Sequence, residues 1–147
     1  MSPMRMLTLT AAVAAVGIAC SGDGPTASRD SAACATAVGT LVLGTTVTGT
    51  LSSTSCLLAD TTRADVWTMV VPAINTLVMD LASPNFDAVL FVRDTRGNLV
   101  VYDDDSGPDL DSRINHTFSA GTYRVYANSF EKASTGAYTL SAVVSTP

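Results

Sequence analysis

FDAVLFVRDTRGNLVVYDDDSGPDLDSRINHTFSAGTYRVYANSFEKASTGAYTL, residues Phe86 to Leu140, is the stretch that decides the fold. Ala88 to Val92 is an unbroken apolar run of strand length, the pattern of a central strand covered on both faces. The segment Asp94-Thr95-Arg96-Gly97-Asn98 then puts Gly where a turn needs positive φ, and Leu99 to Tyr102 reads as the returning strand. Ser112 to Phe118 alternates Ile114, His116 and Phe118 against Arg113, Asn115 and Thr117. Thr122 to Ala127 alternates Tyr123 and Val125 against Arg124 and Tyr126, and Tyr138 to Val144 closes the run. The hydrophobic period is two, not 3.6.

The same pattern extends upstream. Asp65 to Val71 places Trp67, Met69 and Val71 on one face, and Thr76 to Leu81 turns Leu77, Met79 and Leu81 inward and Asp80 outward. Thr40 to Leu51 is rich in Val, Leu and Thr and is broken by Gly44 and Gly49, so it forms one strand or two short ones. Pro72 and Pro84 fall at strand boundaries, where a missing N–H does little harm. Seven or eight short strands at regular spacing predict an all-β, antiparallel sandwich or barrel.

The chain begins with a segment that reads as a targeting signal. Arg5 supplies a positive charge, and Met6 to Ile18 is an uncharged, mostly apolar run of thirteen residues before Ala19 and Cys20. That run is shorter than the roughly 20 apolar residues of a membrane-spanning helix and fits the apolar part of an export signal. Residues 1–19 resemble a bacterial lipoprotein signal, which implies a lipid on Cys20, membrane anchorage, and a periplasmic or cell-surface location. Ordinary export, with Cys20 left as a thiol, is the alternative. Residues 20–33 are small, polar and turn-prone, a flexible tether ahead of a domain spanning 34–147. Three cysteines occur, Cys20, Cys34 and Cys56. Lipidation of Cys20 leaves Cys34 and Cys56, a pair that an oxidising compartment would join, against the alternative of two buried thiols.

The formal charge is −5, with 13 acidic and 8 basic residues, which argues against nucleic acid as a partner. No GxSxG, HExxH or CxxC motif occurs, so neither hydrolysis nor a zinc site is expected. His116, the one histidine, has the parity of Ile114 and Phe118 and reads as a hydrogen-bonded structural residue. The candidate metal ligands are Asp103, Asp104, Asp105, Asp109 and Asp111, five carboxylates in nine residues. Carboxylates so crowded repel one another unless solvated or sharing a cation, and calcium accepts six to eight oxygens. A solvated acidic turn is the competing reading. Asp87 would cap a turn or reach the acidic loop as a further ligand. Tyr102, Tyr126 and Phe130 are the aromatics that could stack on a sugar or a polypeptide if exposed; packing on a second sheet face is the alternative.

One family matches these features in order. Thr48-Gly49-Thr50-Leu51, Asp65-Val66-Trp67, Phe86-Asp87-Ala88-Val89-Leu90, Gly97-Asn98-Leu99, Asp103-Asp104-Asp105, Ser112-Arg113-Ile114, Gly121-Thr122-Tyr123 and Gly136-Ala137-Tyr138-Thr139-Leu140 together resemble the bacterial pre-peptidase C-terminal domain. The resemblance covers about residues 40 to 144. It implies a jelly-roll-like sandwich and a non-catalytic role, and some relatives bind calcium or extracellular polymers such as collagen. The expected function is that of an exported, non-enzymatic module holding an extracellular protein or polysaccharide. The alternative is a structural or chaperone-like accessory without a ligand of its own.

Overall fold

A computed structural model describes residues 32–146. The signal segment, Cys20 and the tether up to residue 31 lie outside the described residues. A 3-10 turn, Ala32–Ala35, leads into ten strands: β1 Gly39–Leu41, β2 Thr46–Leu51, β3 Cys56–Leu57, β4 Arg63–Val71, β5 Asn75–Ala82, β6 Ala88–Asp94, β7 Leu99–Asp103, β8 Ser112–Phe118, β9 Gly121–Ser129 and β10 Gly136–Val144. They build two facing sheets. One has the order β1-β4-β9-β6-β7, with β3 also on β4; the other has the order β2-β10-β5-β8.

The expected β-sandwich is present, with the second alternative for Thr40–Leu51, two short strands, realised and with two differences in detail. Thr40–Leu51 divides between the sheets: Gly44, at φ 83°, breaks the run, and its N–H bonds to the Ala142 carbonyl as the chain crosses over. β3 is an additional strand of two residues, too short to carry an alternation that sequence could reveal. The β1–β4 pair is parallel, whereas every other pair is antiparallel, because the entering chain runs alongside β4 before it changes sheet.

Two cores follow from the strand parities. Between the sheets lie Met69 and Val71 of β4, Leu77, Met79 and Leu81 of β5, Ala88, Leu90 and Val92 of β6, and Ile114 and Phe118 of β8. The odd residues of β6 face the other way. Val89 and Phe91 join Val66, Tyr126, Leu58, Cys34 and Cys56 in a second, smaller core on the outer face of the first sheet. Covering both faces of β6 explains why its sequence is a continuous apolar run. The cover is held on by a disulfide between Cys34 and Cys56, 22 residues apart. The expected pairing is therefore formed, and it ties the N-terminal turn to β3 across the second core.

Candidate functional site

The acidic turn comes first because the sequence singles it out. The chain does fold back at Gly107 and Pro108: the Gly107 N–H bonds to the Asp111 carbonyl at 2.9 Å. A Cβ at Gly107 would stand 2.6 Å from that oxygen, so the close return requires glycine. The carboxylates, however, turn to different partners. Asp103 Oδ2 accepts the N–H groups of Ser106 at 3.1 Å and Arg113 at 2.8 Å. Asp104 Oδ2 accepts the Tyr102 hydroxyl at 3.0 Å, and Asp111 Oδ1 accepts the Ser83 N–H at 3.1 Å. Below the turn, the buried Ser112 hydroxyl donates to the Ala88 carbonyl at 2.6 Å. Among the described residues no three His, Cys, Asp or Glu side chains form a group able to hold a metal. Three of the five carboxylates thus accept local donors, Asp103 and Asp111 from backbone N–H groups and Asp104 from a hydroxyl.

Of the two roles expected for Asp87, turn capping falls to another residue, and its carboxyl instead feels the charges of the acidic loop. The cap of the 83–86 turn is Ser83, whose hydroxyl oxygen accepts from Asn85 N at 3.1 Å and Phe86 N at 3.3 Å. Asp87 Oδ1 is buried with no hydrogen-bond partner. Partial burial, then the charges of Asp105, Asp104 and Glu131, push its carboxyl above the usual value of 3.8. Asp94 is the opposite case. Its carboxylate accepts the Asn98 side-chain amide and the Asn98 and Arg96 N–H groups, at 2.8, 2.9 and 2.9 Å, and these bonds lower its pKa. The turn they close has Gly97 at φ 88°.

Three of the sequence segments that carry the family resemblance meet at one end of the sandwich. The Tyr138 hydroxyl of β10 donates to Asp65 Oδ2 of β4 at 2.8 Å and accepts from Trp67 Nε1 at 2.9 Å. Ser55 donates to the other Asp65 oxygen at 2.7 Å. The Tyr138 ring lies against Gly49 of β2; a Cβ there would come within 2.2 Å of the ring. The Asp-Val-Trp, Thr-Gly-Thr and Gly-Ala-Tyr segments thus form a polar joint across the two sheets. Their residue types tie β4 to β10 across the sandwich. A cleft of about 1090 Å³ opens beside this joint, with Asp87, Asp109, Asp111 and Glu131 on its walls.

The outer face of the first sheet carries a second cleft, of about 390 Å³. Leu58, Val89 and Phe91 are its apolar part; Leu99, Tyr102 and Phe130, exposed by 61, 49 and 61 %, also line it. Tyr102 is thus a surface aromatic, as the sequence reading allows. Burial, then its bond to Asp104, pushes its pKa up to about 12, so it stays neutral. Tyr126 is not a surface aromatic. It is buried, stacked on Phe91 at 4.5 Å between ring centroids, with the Arg93 guanidinium 5.4 Å over both rings. The second core covers the face to which its parity points, and so removes it from the binding candidates. His116 packs edge-on against Phe118 at 4.8 Å, an aromatic contact in place of the expected hydrogen bond.

Asp60, Arg93 and Asn128 also line this cleft, and sequence reasoning passed over all three. Asn128 had no legible signal: it continues the row of Arg124 and Tyr126, which alternates against the inward Tyr123 and Val125, and only the second core buries that row. Asp60 had none, because the loop that places it has no period.

No protein-family model matches the chain, and no curated protein matches it. Solved structures do match. One is the 1.0 Å crystal structure of the pre-peptidase C-terminal domain of collagenase from Bacillus anthracis, with a TM-score of 0.57 and 16 % identity. The match covers 73 % of this chain and 96 % of that domain. Likeness at this identity concerns the fold. The described part of this chain is similar in fold to the pre-peptidase C-terminal domain, a β-sandwich of two sheets.

Proposed function

We propose that this chain is a non-catalytic module, exported and held at a membrane by lipid on Cys20, that binds an extracellular polymer. The observation that carries the proposal is the exposure of Leu99, Tyr102 and Phe130 around one cleft on a face otherwise closed by a second core. Large apolar side chains gathered on a monomer surface mark contact sites. The collagenase domain of similar fold supports an accessory role, since it is a part of an enzyme other than its peptidase. The acidic character of the chain, −5 overall, suits a neutral partner better than a polyanion.

The test is co-sedimentation of the whole chain with insoluble collagen, cellulose and chitin, with and without Tyr102→Ala. Retention on one polymer that the substitution weakens supports the reading. Recovery in the supernatant with all three favours a structural accessory without a ligand.

A further inference from the structure

We propose that the outer-face cleft is a sugar-binding subsite, taking a neutral pyranose ring of a glycan. This rests on the polymer-binding reading and names the chemistry of its ligand. Asn128 sits in β9, opposite Ala64 of β4 and Val89 of β6, so its backbone is in the middle of the sheet and its side chain stands on the outer face. The residue is 5 % exposed, and its Oδ1 has no hydrogen-bond partner. A buried acceptor without a donor is costly, and a ligand hydroxyl reaching the cleft would supply one. The same cleft carries Asp60, held in place because its Oδ1 accepts both the N–H and the hydroxyl of Thr62, at 2.9 and 2.7 Å. It also carries Arg93, held over Phe91 and Tyr126. Three planar polar side chains with fixed orientations match the ring of hydroxyls that a pyranose presents in its plane. The rims of Tyr102 and Phe130 offer aromatic surface for its C–H face.

Charge and backbone geometry narrow the class. Asp60 and Arg93 offset each other, so the cleft is electrically balanced within an acidic chain, which fits a neutral sugar and disfavours uronates and sulfated glycans. An extended polypeptide would seek an open strand edge for its main-chain bonds. Here the strand that places Asn128 is already paired on both sides, to β4 and to β6, so the polar floor of the cleft has no free main-chain groups; the sheet edge lies at the rim, on β7, and the collagen-type peptide below tests it. The volume, about 390 Å³, is at the small end of ligand sites and suits one or two sugar rings.

The experiment titrates the whole chain with cellohexaose, mannohexaose, chitohexaose and a triple-helical collagen-type peptide. Calorimetry and the side-chain amide resonances of Asn128 are the readouts. At least one hexaose is expected to bind and to shift the Asn128 amide. Its affinity should fall roughly tenfold in Tyr102→Ala and in Phe130→Ala, and stay unchanged in Val143→Ala on the other sheet. Circular dichroism melts confirm that each variant is folded. Hexaose binding that leaves Asn128 unmoved, or that both aromatic variants retain, overturns the subsite and leaves polymer binding standing. Binding of the collagen-type peptide in this cleft without any hexaose overturns the sugar class alone. Binding of no probe overturns both this inference and the polymer-binding reading.

Discussion

Replacing Tyr138 by Phe removes one oxygen atom and leaves a buried ring in place. The hydroxyl makes two hydrogen bonds, donating to Asp65 Oδ2 at 2.8 Å and accepting from Trp67 Nε1 at 2.9 Å. Because the ring stays, the cavity term that dominates large-to-small substitutions is small. What is lost is polar. A hydrogen bond to a charged group is worth about 1.5–3 kcal/mol, and leaving the indole donor without its acceptor adds about 1 kcal/mol. Asp65 keeps the bond from Ser55, so its carboxylate is weakened rather than stranded. The expected loss is about 2–4 kcal/mol, which for a domain of this size lowers the melting temperature by roughly 8–16 °C. Urea unfolding measures it, with an unchanged m-value marking a true stability change. Asp65→Asn should destabilise too, and the double variant should lose less than the sum, because the two groups share one bond. The hydroxyl also has an alkaline signature: burial raises its pKa above the ordinary 10.0, so above pH 10 the unfolded chain releases a proton that the folded chain keeps. Stability should fall there in the wild type and less in Tyr138→Phe. A loss below about 0.5 kcal/mol, within the range of ordinary surface substitutions, would refute the joint as a stabilising element.

The Cys34–Cys56 disulfide closes a separation of 22 residues, so reduction, or Cys34→Ser with Cys56→Ser, should cost about 3 kcal/mol in the chain-entropy model. An unchanged urea midpoint under reducing conditions would contradict it. Carboxyl titration by NMR should find Asp87 above 3.8 and Asp94 below it. Asp94 contributes stability that is present above its unfolded pKa and lost as pH falls through its folded one. Asp87 acts with the opposite sign: its ionised form weakens the fold at neutral pH, and that cost disappears on acidification. Asp87→Asn should therefore stabilise at pH 7 and be neutral near pH 3, whereas equal effects at both would refute the assignment. Millimolar calcium should leave the melting temperature within about 2 °C; a rise of the kind that about 2.7 kcal/mol produces at 100 times the dissociation constant, abolished by Asp103→Asn with Asp105→Asn, would mean that the loop rearranges into a site. Cys20→Ser should move the protein from the membrane to the soluble fraction of an expressing bacterium, and identical fractionation of the two forms would refute lipid anchorage.

Periodicity decided the sheets. An alternation of two residues writes the buried face of each strand directly into the chain, so Met69, Leu77, Met79, Leu81, Ile114, Phe118, Tyr123 and Val125 are inward both by sequence and in the structure. The run Ala88–Val92 likewise announces two covered faces. Cysteine parity proposed the Cys34–Cys56 pair, because a bond between two residues needs only a count and a compartment. What covers the outer face was beyond the local pattern: the 3-10 turn, β3 and the loop to Thr62 have no period, and only the assembled sheet shows that they bury Tyr126. The acidic turn was legible as composition but not as geometry. Five neighbouring carboxylates can converge on a cation or cap separate backbone donors, and the choice depends on where Ser83, Ser106 and Arg113 lie. The cross-sheet joint has the same character, since Asp65 and Tyr138 are 73 residues apart along the chain and become partners only when the two sheets face each other. Side-chain parity is a property of adjacent residues, and sequence carries it; the meeting of distant polar groups is a property of packing, and only the tertiary structure decides it.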